Sequence, residues 1–290
     1  MNEDAIQHDN DAIQRAARAI ASADAILIGA GAGMGVDGGL PDFRGREGFW
    51  NAYPPYARLG LDFQAMASPR WFRDDPELAW GFYGHRLELY RATAPHPGYA
   101  ILKQWTERAS RGGFVVTSNV DGHFQRAGFD PERVYEVHGA IDTLQCAVEC
   151  GEGLFPADDW SVTIDEETMR AVGPLPSCPR CGELARPNIL MFGDWGWDSS
   201  RSDAQERNLR AWFQAIRVDD ARLVVIECGA GTAVPTIRMF CQNAIEHPDA
   251  LLIRINTREP RVPPGHVSIP ERALKALRAI DQALESPDAD

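Results

Sequence analysis

Short apolar runs recur along the chain, and each empties into small or polar residues. Ala25 to Ile28 leads into a glycine-dense turn from Gly29 to Gly39. Gly113 to Thr117 leads into Ser118-Asn119-Val120-Asp121, and Val134 to Val137 ends at His138-Gly139. Leu223 to Ile226 ends in Glu227-Cys228-Gly229-Ala230-Gly231-Thr232, Leu251 to Ile255 ends at Asn256, and Arg186 to Asp194 again has strand character. Runs of this kind, bounded by turn residues, predict strands buried on both faces. Helical spacing fills the intervals. Ile13, Ala16, Ala17 and Ile20 line one face of a helix over Asp11 to Ser22. Further helices are predicted at Pro97 to Ser110, within Trp195 to Ile216, at Pro235 to Ile245 and at Glu271 to Leu284. Strands alternating with helices predict an α/β fold with a doubly wound, Rossmann-like parallel sheet. Such sheets bind ligands beyond the carboxyl ends of their strands, where the small and polar residues fall here.

Two stretches break the alternation. From Arg46 to about Arg91 aromatic residues crowd together, and prolines at 54, 55, 69 and 76 cut the segment into short helices and turns. From 141 to 185 the chain carries four of its six cysteines. These interruptions are expected to form a smaller lobe, with a ligand cleft between it and the sheet.

Composition narrows the function classes. With 29 basic and 42 acidic residues the net charge is −13, and no run of five or more basic residues occurs. Such a surface repels a nucleic-acid backbone, so direct nucleic-acid binding is not expected. No segment approaches the ~20 consecutive apolar residues of a membrane span. The start, MNEDAIQHDND, is acidic and lacks the basic-then-apolar order of a signal peptide. A cytoplasmic protein is the expectation, and in a reducing compartment clustered cysteines favour metal over disulfides. Cys146-x3-Cys150 and Cys178-x2-Cys181 form two thiolate pairs, the arrangement of a structural zinc site, with free buried cysteines as the alternative. Four thiolates leave no open position for catalysis.

Candidate chemistry gathers at the strand ends. The turn containing Gly29, Gly31 and Gly33 would let a phosphate approach the backbone, although strand-to-helix turns carry glycines for steric reasons too. Pro41-Asp42-Phe43-Arg44 follows, reading as a loop that closes over a ligand. Asn119 and Asp121 suit a carboxamide or hydroxyl, or else a turn and helix cap. His138 is a general base or a structural donor. Tyr83 and Arg86, three residues apart, share a helix face and could bind a carboxylate; a packed tyrosine and a solvated arginine satisfy the same spacing.

In their order these motifs resemble the sirtuin family of NAD-dependent protein deacylases, over about residues 12 to 260. The resemblance is carried by Gly31-Ala32-Gly33 running into Gly39-Leu40-Pro41-Asp42-Phe43-Arg44, by Thr117-Ser118-Asn119-Val120-Asp121 with Ala127-Gly128 after it, and by His138-Gly139. The four cysteines, Arg186 to Asp194, Gly229 to Thr232 and Ile255-Asn256 complete it. This sequence departs from the pattern at Gly35 and Gly38, where small hydroxyl residues are usual, at Ser118, at His123-Phe124 and at Asp194.

The resemblance implies an NAD-dependent lysine deacylase giving nicotinamide, O-acyl-ADP-ribose and free lysine. It implies catalytic roles for His138, Asn119 and Asp121. NAD, a co-substrate, would contact Gly31, Ala32, Gly33, Asp42, Phe43, Arg44, Ser118, Asn119, Asp121, Gly229, Gly231, Thr232 and Asn256. One structural zinc would sit on Cys146, Cys150, Cys178 and Cys181. An acyl-lysine protein or peptide would pair along Ile189, Phe192 and Gly193. Tyr83 and Arg86 resemble the motif of sirtuins that take acidic acyl groups, which would add desuccinylase or demalonylase activity to that of a deacetylase. Residues 11–45, 92–140 and 186–290 would form the NAD-binding domain, 46–91 a helical module and 141–185 a zinc-binding module. The same pocket would also serve a mono-ADP-ribosyltransferase, an NAD hydrolase or a catalytically silent NAD-binding module.

Overall fold

The structure, a computed structural model, describes residues 3–41, 49–51 and 53–285. Five of the predicted strands lie in one parallel sheet, β1 (Ala25–Ala30), β2 (Gly113–Thr117), β3 (Val134–Glu136) and two later ones, joined by a short strand that the pattern did not predict, while the run predicted from Arg186 falls in a separate antiparallel sheet. Between β3 and the later strands of the parallel sheet the chain builds β4 (Gly139–Cys146), β5 (Leu154–Pro156), β6 (Thr163–Asp165), β7 (Arg170–Val172) and β8 (Ala185–Ile189). It then returns to the main sheet with β9 (Leu223–Cys228), β10 (Leu251–Ile255) and β11 (Val267–Ile269).

The main sheet runs β11-β10-β9-β1-β2-β3, with every pair parallel. Strand order therefore reverses between β1 and β9. That switch point opens a crevice at the carboxyl end of a parallel sheet. The turns after β1 and β9 are the two glycine-rich stretches singled out by pattern.

Helices among the described residues include α1 (Glu3–Ala21), α2 (Pro54–Arg58), α3 (Phe63–Met66), α4 (Trp71–Asp74), α5 (Pro76–Ala92), α6 (Pro97–Arg108), α7 (His123–Arg126), α8 (Ser200–Val218), α9 (Thr236–Ala244) and α10 (Ala273–Glu285). One face of the main sheet packs Ile26, Ile28, Val115, Ile226 and Ile253 against Ala16, Ala17 and Ile20 of α1, Leu102 and Trp105 of α6 and Leu277 and Ile280 of α10. The other packs Leu27, Val116, Val225 and Leu252 against Leu209, Trp212 and Ile216 of α8 and Ile237 and Cys241 of α9. Alternate residues of each strand serve opposite faces, which is why the runs are apolar without interruption.

A third apolar cluster lies apart from both. It joins the aromatic residues Phe49, Tyr53, Tyr56, Phe72, Trp80, Phe82 and Tyr83 to Ile141, Leu144, Val162, Met169, Ala171, Ala185 and Ile189. Here β4 pairs antiparallel with β5 and β8, and β6 with β7. α5 lies against this hairpin, and Gly81 makes the approach possible: a Cβ there would stand 2.0 Å from the Met169 carbonyl oxygen.

A buried ion pair joins the two strands next to the switch point. Glu227 on β9 and Arg254 on β10 lie in register, with Arg254 Nε and Nη2 donating to the two carboxylate oxygens at 2.6 and 2.9 Å. Both side chains are essentially inaccessible to solvent. Arg254→Leu would leave the Glu227 carboxylate buried without its bidentate partner. It is expected to lower the unfolding free energy by about 3–5 kcal/mol in urea titration, and an unchanged midpoint would show that the pair does not hold the strands.

Candidate functional site

The two switch-point turns touch through their backbones. Gly31 N–H donates to the Cys228 carbonyl at 3.0 Å, and Gly33 N–H to the Gly229 carbonyl at 3.1 Å. Gly229 has a φ of +62°, and a Cβ there would lie 2.4 Å from the Gly33 carbonyl carbon; one on Gly31 would lie 2.7 Å from the Ala230 Cα. Only glycine meets both demands at 229. The carbonyl of Ala230 accepts from Arg238 Nη2 and from Asn256 Nδ2, each at 2.8 Å, so this turn is also tied from below.

A cavity of about 870 Å³ opens over these turns, a volume typical of small-molecule sites. Gly31, Ala32, Ser118, Asn119, Asp121, His138, Gly231 and Thr232 all line it. So do Tyr83 and Arg86 from the small lobe, and Ile189 and Phe192 at the end of β8. Residues from six separate stretches of sequence therefore meet at one cleft between the apolar clusters. Gly33, Gly229 and Asn256 line a smaller adjoining pocket of about 120 Å³. Gly193 lines neither, and Asp42, Phe43 and Arg44 lie outside the described residues.

Local bonds aim each group. Asn119 takes a bond from its own backbone N–H to Thr117 Oγ1 at 3.0 Å, and its Nδ2 donates to the Gly31 carbonyl at 3.1 Å. Its amide oxygen and a second N–H remain for other partners. Asp121 Oδ1 accepts the His123 N–H at 2.9 Å, the local turn that its sequence context allowed. Its carboxylate still has further lone pairs to offer, and the residue lines the cavity.

His138 stands where the chain leaves one sheet for the other. Val137 N–H bonds the Thr117 carbonyl at 2.9 Å, and the His138 carbonyl accepts from Leu190 N–H at 3.0 Å. The glycine after it is required: Gly139 has a φ of +76°, and a Cβ would meet the Asn188 carbonyl oxygen at 2.0 Å. With the backbone fixed on both sides, the imidazole reaches the cavity. Burial pushes its pKa below the ordinary value of 6.5, opposed by a hydrogen bond to the Ser118 backbone. The ring is therefore neutral at pH 7, the state of a base.

Tyr83 and Arg86 are both buried on α5, so the arginine is not the solvated residue that its spacing equally allowed. The Tyr83 hydroxyl is buried without a hydrogen-bond partner. Burial also raises its pKa, which keeps the phenol protonated and able to donate.

Several lining residues were not singled out from sequence. Thr232 N–H donates to Glu259 Oε2 at 3.0 Å, and Glu259 and Arg258 border the cavity from the loop after β10. Asp62, Phe63 and Gln64 enter from α3 and its cap. Tyr90 lines the cavity four residues beyond Arg86, a spacing that was readable on the same helix face.

Away from the cleft, the sulfurs of Cys146, Cys150, Cys178 and Cys181 lie within 4.8 Å of one another, and none is in a disulfide. Sulfur pairs 146–181 and 150–178 are 3.6 and 3.5 Å apart. A tetrahedron of sulfurs about 2.3 Å from a zinc ion has edges of about 3.8 Å, so the four residues fit that ion.

The segment after β8 is firmly held. Arg186 donates to Asp194 through two bonds of 2.7 and 2.9 Å, with both side chains buried. Arg186 Nη2 and Gln145 Nε2 also bond the Gly196 carbonyl, at 2.9 and 2.7 Å. Strand character predicted through Asp194 stops at Ile189, and a loop continues from there with Leu190 and Phe192 partly exposed at the cavity. Among the described residues no helix is long and apolar enough to cross a membrane.

Comparison with known proteins gives the same direction. The Sir2 family model matches residues 31–209. The mitochondrial NAD-dependent protein deacylase sirtuin-5 of Danio rerio is 34% identical over 204 residues, 65% of this chain and 63% of that protein. NAD-dependent protein deacylase 2 of Pyrobaculum aerophilum is 32% identical over 260 residues, covering 89% of this chain and 90% of the relative. Among solved structures, an ADP-ribose complex of a serine-to-alanine mutant Sir2 homologue superposes with a TM-score of 0.67 at 25% identity, over 95% of this chain and 99% of the other. With the motifs in order, the switch-point cleft formed and the family model matched across most of the sequence, this chain belongs to the Sir2 family.

Proposed function

We propose that the protein is an NAD-dependent protein-lysine deacylase that accepts acetyl groups and short acyl groups ending in a carboxylate, and that releases nicotinamide, O-acyl-ADP-ribose and free lysine. One observation carries the reading: a single cavity is lined by the switch-point turns, by Asn119 and Asp121, by His138, and by Tyr83 and Arg86. Residues 11–45, 92–140 and 186–290 would form the NAD-binding part, with 46–91 and 141–185 as helical and zinc-binding modules. The separation of the apolar clusters supports that division.

The glycine turns fit NAD because their close approach leaves main-chain atoms and small side chains facing the cavity. Gly31, Ala32, Gly231 and Thr232 would hold the cofactor, with Gly33, Gly229 and Asn256 at the adjoining pocket. When bound, NAD would supply a ribose carbon that exchanges its bond to nicotinamide for one to the acyl oxygen, and a ribose hydroxyl that takes the acyl group from the lysine nitrogen, with one water consumed as free lysine leaves. Asn119 offers an amide to the nicotinamide end, and Asp121 accepts hydrogen bonds there. The neutral His138 ring takes the proton of the ribose hydroxyl. The lysine-bearing chain would lie along Ile189, Phe192 and Gly193, where the strand pairing of β8 ends and an added strand could continue it. Zinc on the four cysteines would hold the small lobe and take no part in the chemistry.

Mass spectrometry of products from NAD with acetyl- and succinyl-lysine peptides tests this reading. O-acyl-ADP-ribose and free lysine are the expected products. ADP-ribosylated protein would point to a transferase, and ADP-ribose formed without peptide to a hydrolase. Arg86→Met is expected to lower kcat/KM for the succinyl peptide about 10- to 100-fold, and much less for the acetyl peptide, since a hydrogen-bonded charge contact is lost. Equal losses would make Arg86 structural.

A further inference from the structure

The proposed acyl end of the cavity contains a contact that a tyrosine-arginine pair does not require. Tyr83, Arg86 and Tyr90 lie at i, i+3 and i+7 on α5, a spacing that keeps them on one helix face. All three are buried and all three line the cavity. Arg86 Nε and Nη2 both donate to Tyr90 Oη, at 3.1 and 2.7 Å. That Nε–Nη2 edge is one of the forks by which a guanidinium grips a carboxylate. Here it grips a phenol. The guanidinium is further boxed by rings, with centroids 5.9 Å away at Phe63, 5.2 Å at Phe82, 5.9 Å at Tyr83 and 5.3 Å at Tyr90.

Two consequences follow from the chemistry of the groups. A phenol that accepts two N–H bonds still owns its proton and can donate it. Arg86, fixed through that edge, cannot swing its charge away from the cavity without breaking two bonds. The Tyr83 hydroxyl, buried without a partner, is a second donor lining the same cavity. A buried hydroxyl left unsatisfied costs stability, and a ligand oxygen would remove that cost.

We propose that Tyr90 is a specificity-determining positioning residue, whose hydroxyl holds Arg86 by its Nε–Nη2 edge and donates its own proton to the carboxylate of an incoming acyl group, completing a three-point anion site with Tyr83 and Arg86. The proposal rests on the acidic-acyl reading above. Burial raises the pKa of Tyr90 as it does that of Tyr83, so both phenols remain donors. One fixed cation between two neutral donors suits a single carboxylate on a short chain.

The test is steady-state kinetics on succinyl and acetyl peptides of one sequence, with the parent, Tyr90→Phe, Arg86→Met and the double variant. Tyr90→Phe keeps the packed ring and removes only the hydroxyl. It is expected to raise the ratio of succinyl to acetyl KM about tenfold, the loss of a hydrogen bond to a charged group, with the change in KM rather than kcat. In the Arg86→Met background the same substitution is expected to add little, because the two residues act as one unit. If Arg86→Met raises the ratio and Tyr90→Phe does not, Tyr90 is dispensable and the acidic-acyl reading stands without it. If Tyr90→Phe improves succinyl turnover, the phenol competes with the substrate and the proposal is overturned. If neither variant moves the ratio, the acidic-acyl reading fails and the role of Tyr90 fails with it.

Discussion

His138→Ala is expected to reduce deacylation about 10²–10⁴-fold, the range for losing a positioned general base, while the protein folds and still binds NAD. The fold should survive because the backbone on either side of the ring is fixed by groups that the substitution leaves alone: the bond from Val137 to Thr117, the bond from Leu190 to the His138 carbonyl, and Gly139 against Asn188. The pH dependence carries a second signature. Burial depresses the His138 pKa below 6.5, so the active neutral form is present at pH 7 and is lost as the pH falls through that lower value. Parental kcat/KM should therefore show an acid limb below about pH 6.5. In the alanine variant that limb should disappear along with the rate. A variant that deacylates at the parental rate would move the base to another residue.

Cys178→Ala is expected to have the largest effect on stability. The two loops that carry the cysteines have little else to hold them. Residues 147–153 and 179–184 are all partly or fully exposed. A stretch that buries so little apolar surface cannot offset its own ordering entropy. Structural zinc sites supply about 10–16 kcal/mol of apparent binding free energy in small domains, and that energy is available for folding. Loss of zinc should be measurable as a fall from one ion per chain to none by elemental analysis, with a lowered thermal midpoint. Peptide binding should weaken as well, because β8 begins four residues after the second cysteine pair and its Arg186 holds the loop at Asp194 and Gly196. Metal-free protein of parental stability would refute the staple.

Much of this molecule can be read from its sequence because its main strands are buried on both faces. Uninterrupted runs such as Ile26 to Ile28 and Leu223 to Ile226 have no other good explanation in a chain this polar. Leu251–Ile255 was legible to the residue, and the α1 face of Ala16, Ala17 and Ile20 packs as its spacing predicted. The helix itself begins earlier than predicted, at Glu3 rather than Asp11, because its first two turns are mostly polar and leave no periodic trace. β11 and the three-residue strands of the small lobe are too short to carry a period at all. The cysteine spacing foretold a cluster, which the sulfur distances bear out.

The site was legible as a set of motifs but not as an arrangement. No local pattern says that Arg86 is buried, that Tyr90 holds it, or that Glu259 reaches Thr232. Such contacts depend on how α5 and the loop after β10 are packed. The pair Glu227 and Arg254 illustrates the point: a charge inside an apolar strand reads as a flaw until its neighbour in the next strand is known.

The touching glycine turns after β1 and β9 have a consequence for engineering. Where two backbones meet without intervening side chains, the floor of the cleft has almost no vocabulary for change. A substitution at Gly31 or Gly229 collides with main chain rather than with a residue that could be altered in compensation. Selection, natural or in the laboratory, is thereby channelled to the walls, where Tyr83, Arg86, Tyr90 and Phe192 meet the cavity with side chains rather than backbone. The floor conserves the currency that the enzyme accepts, and the walls can be rewritten to change what it is exchanged for.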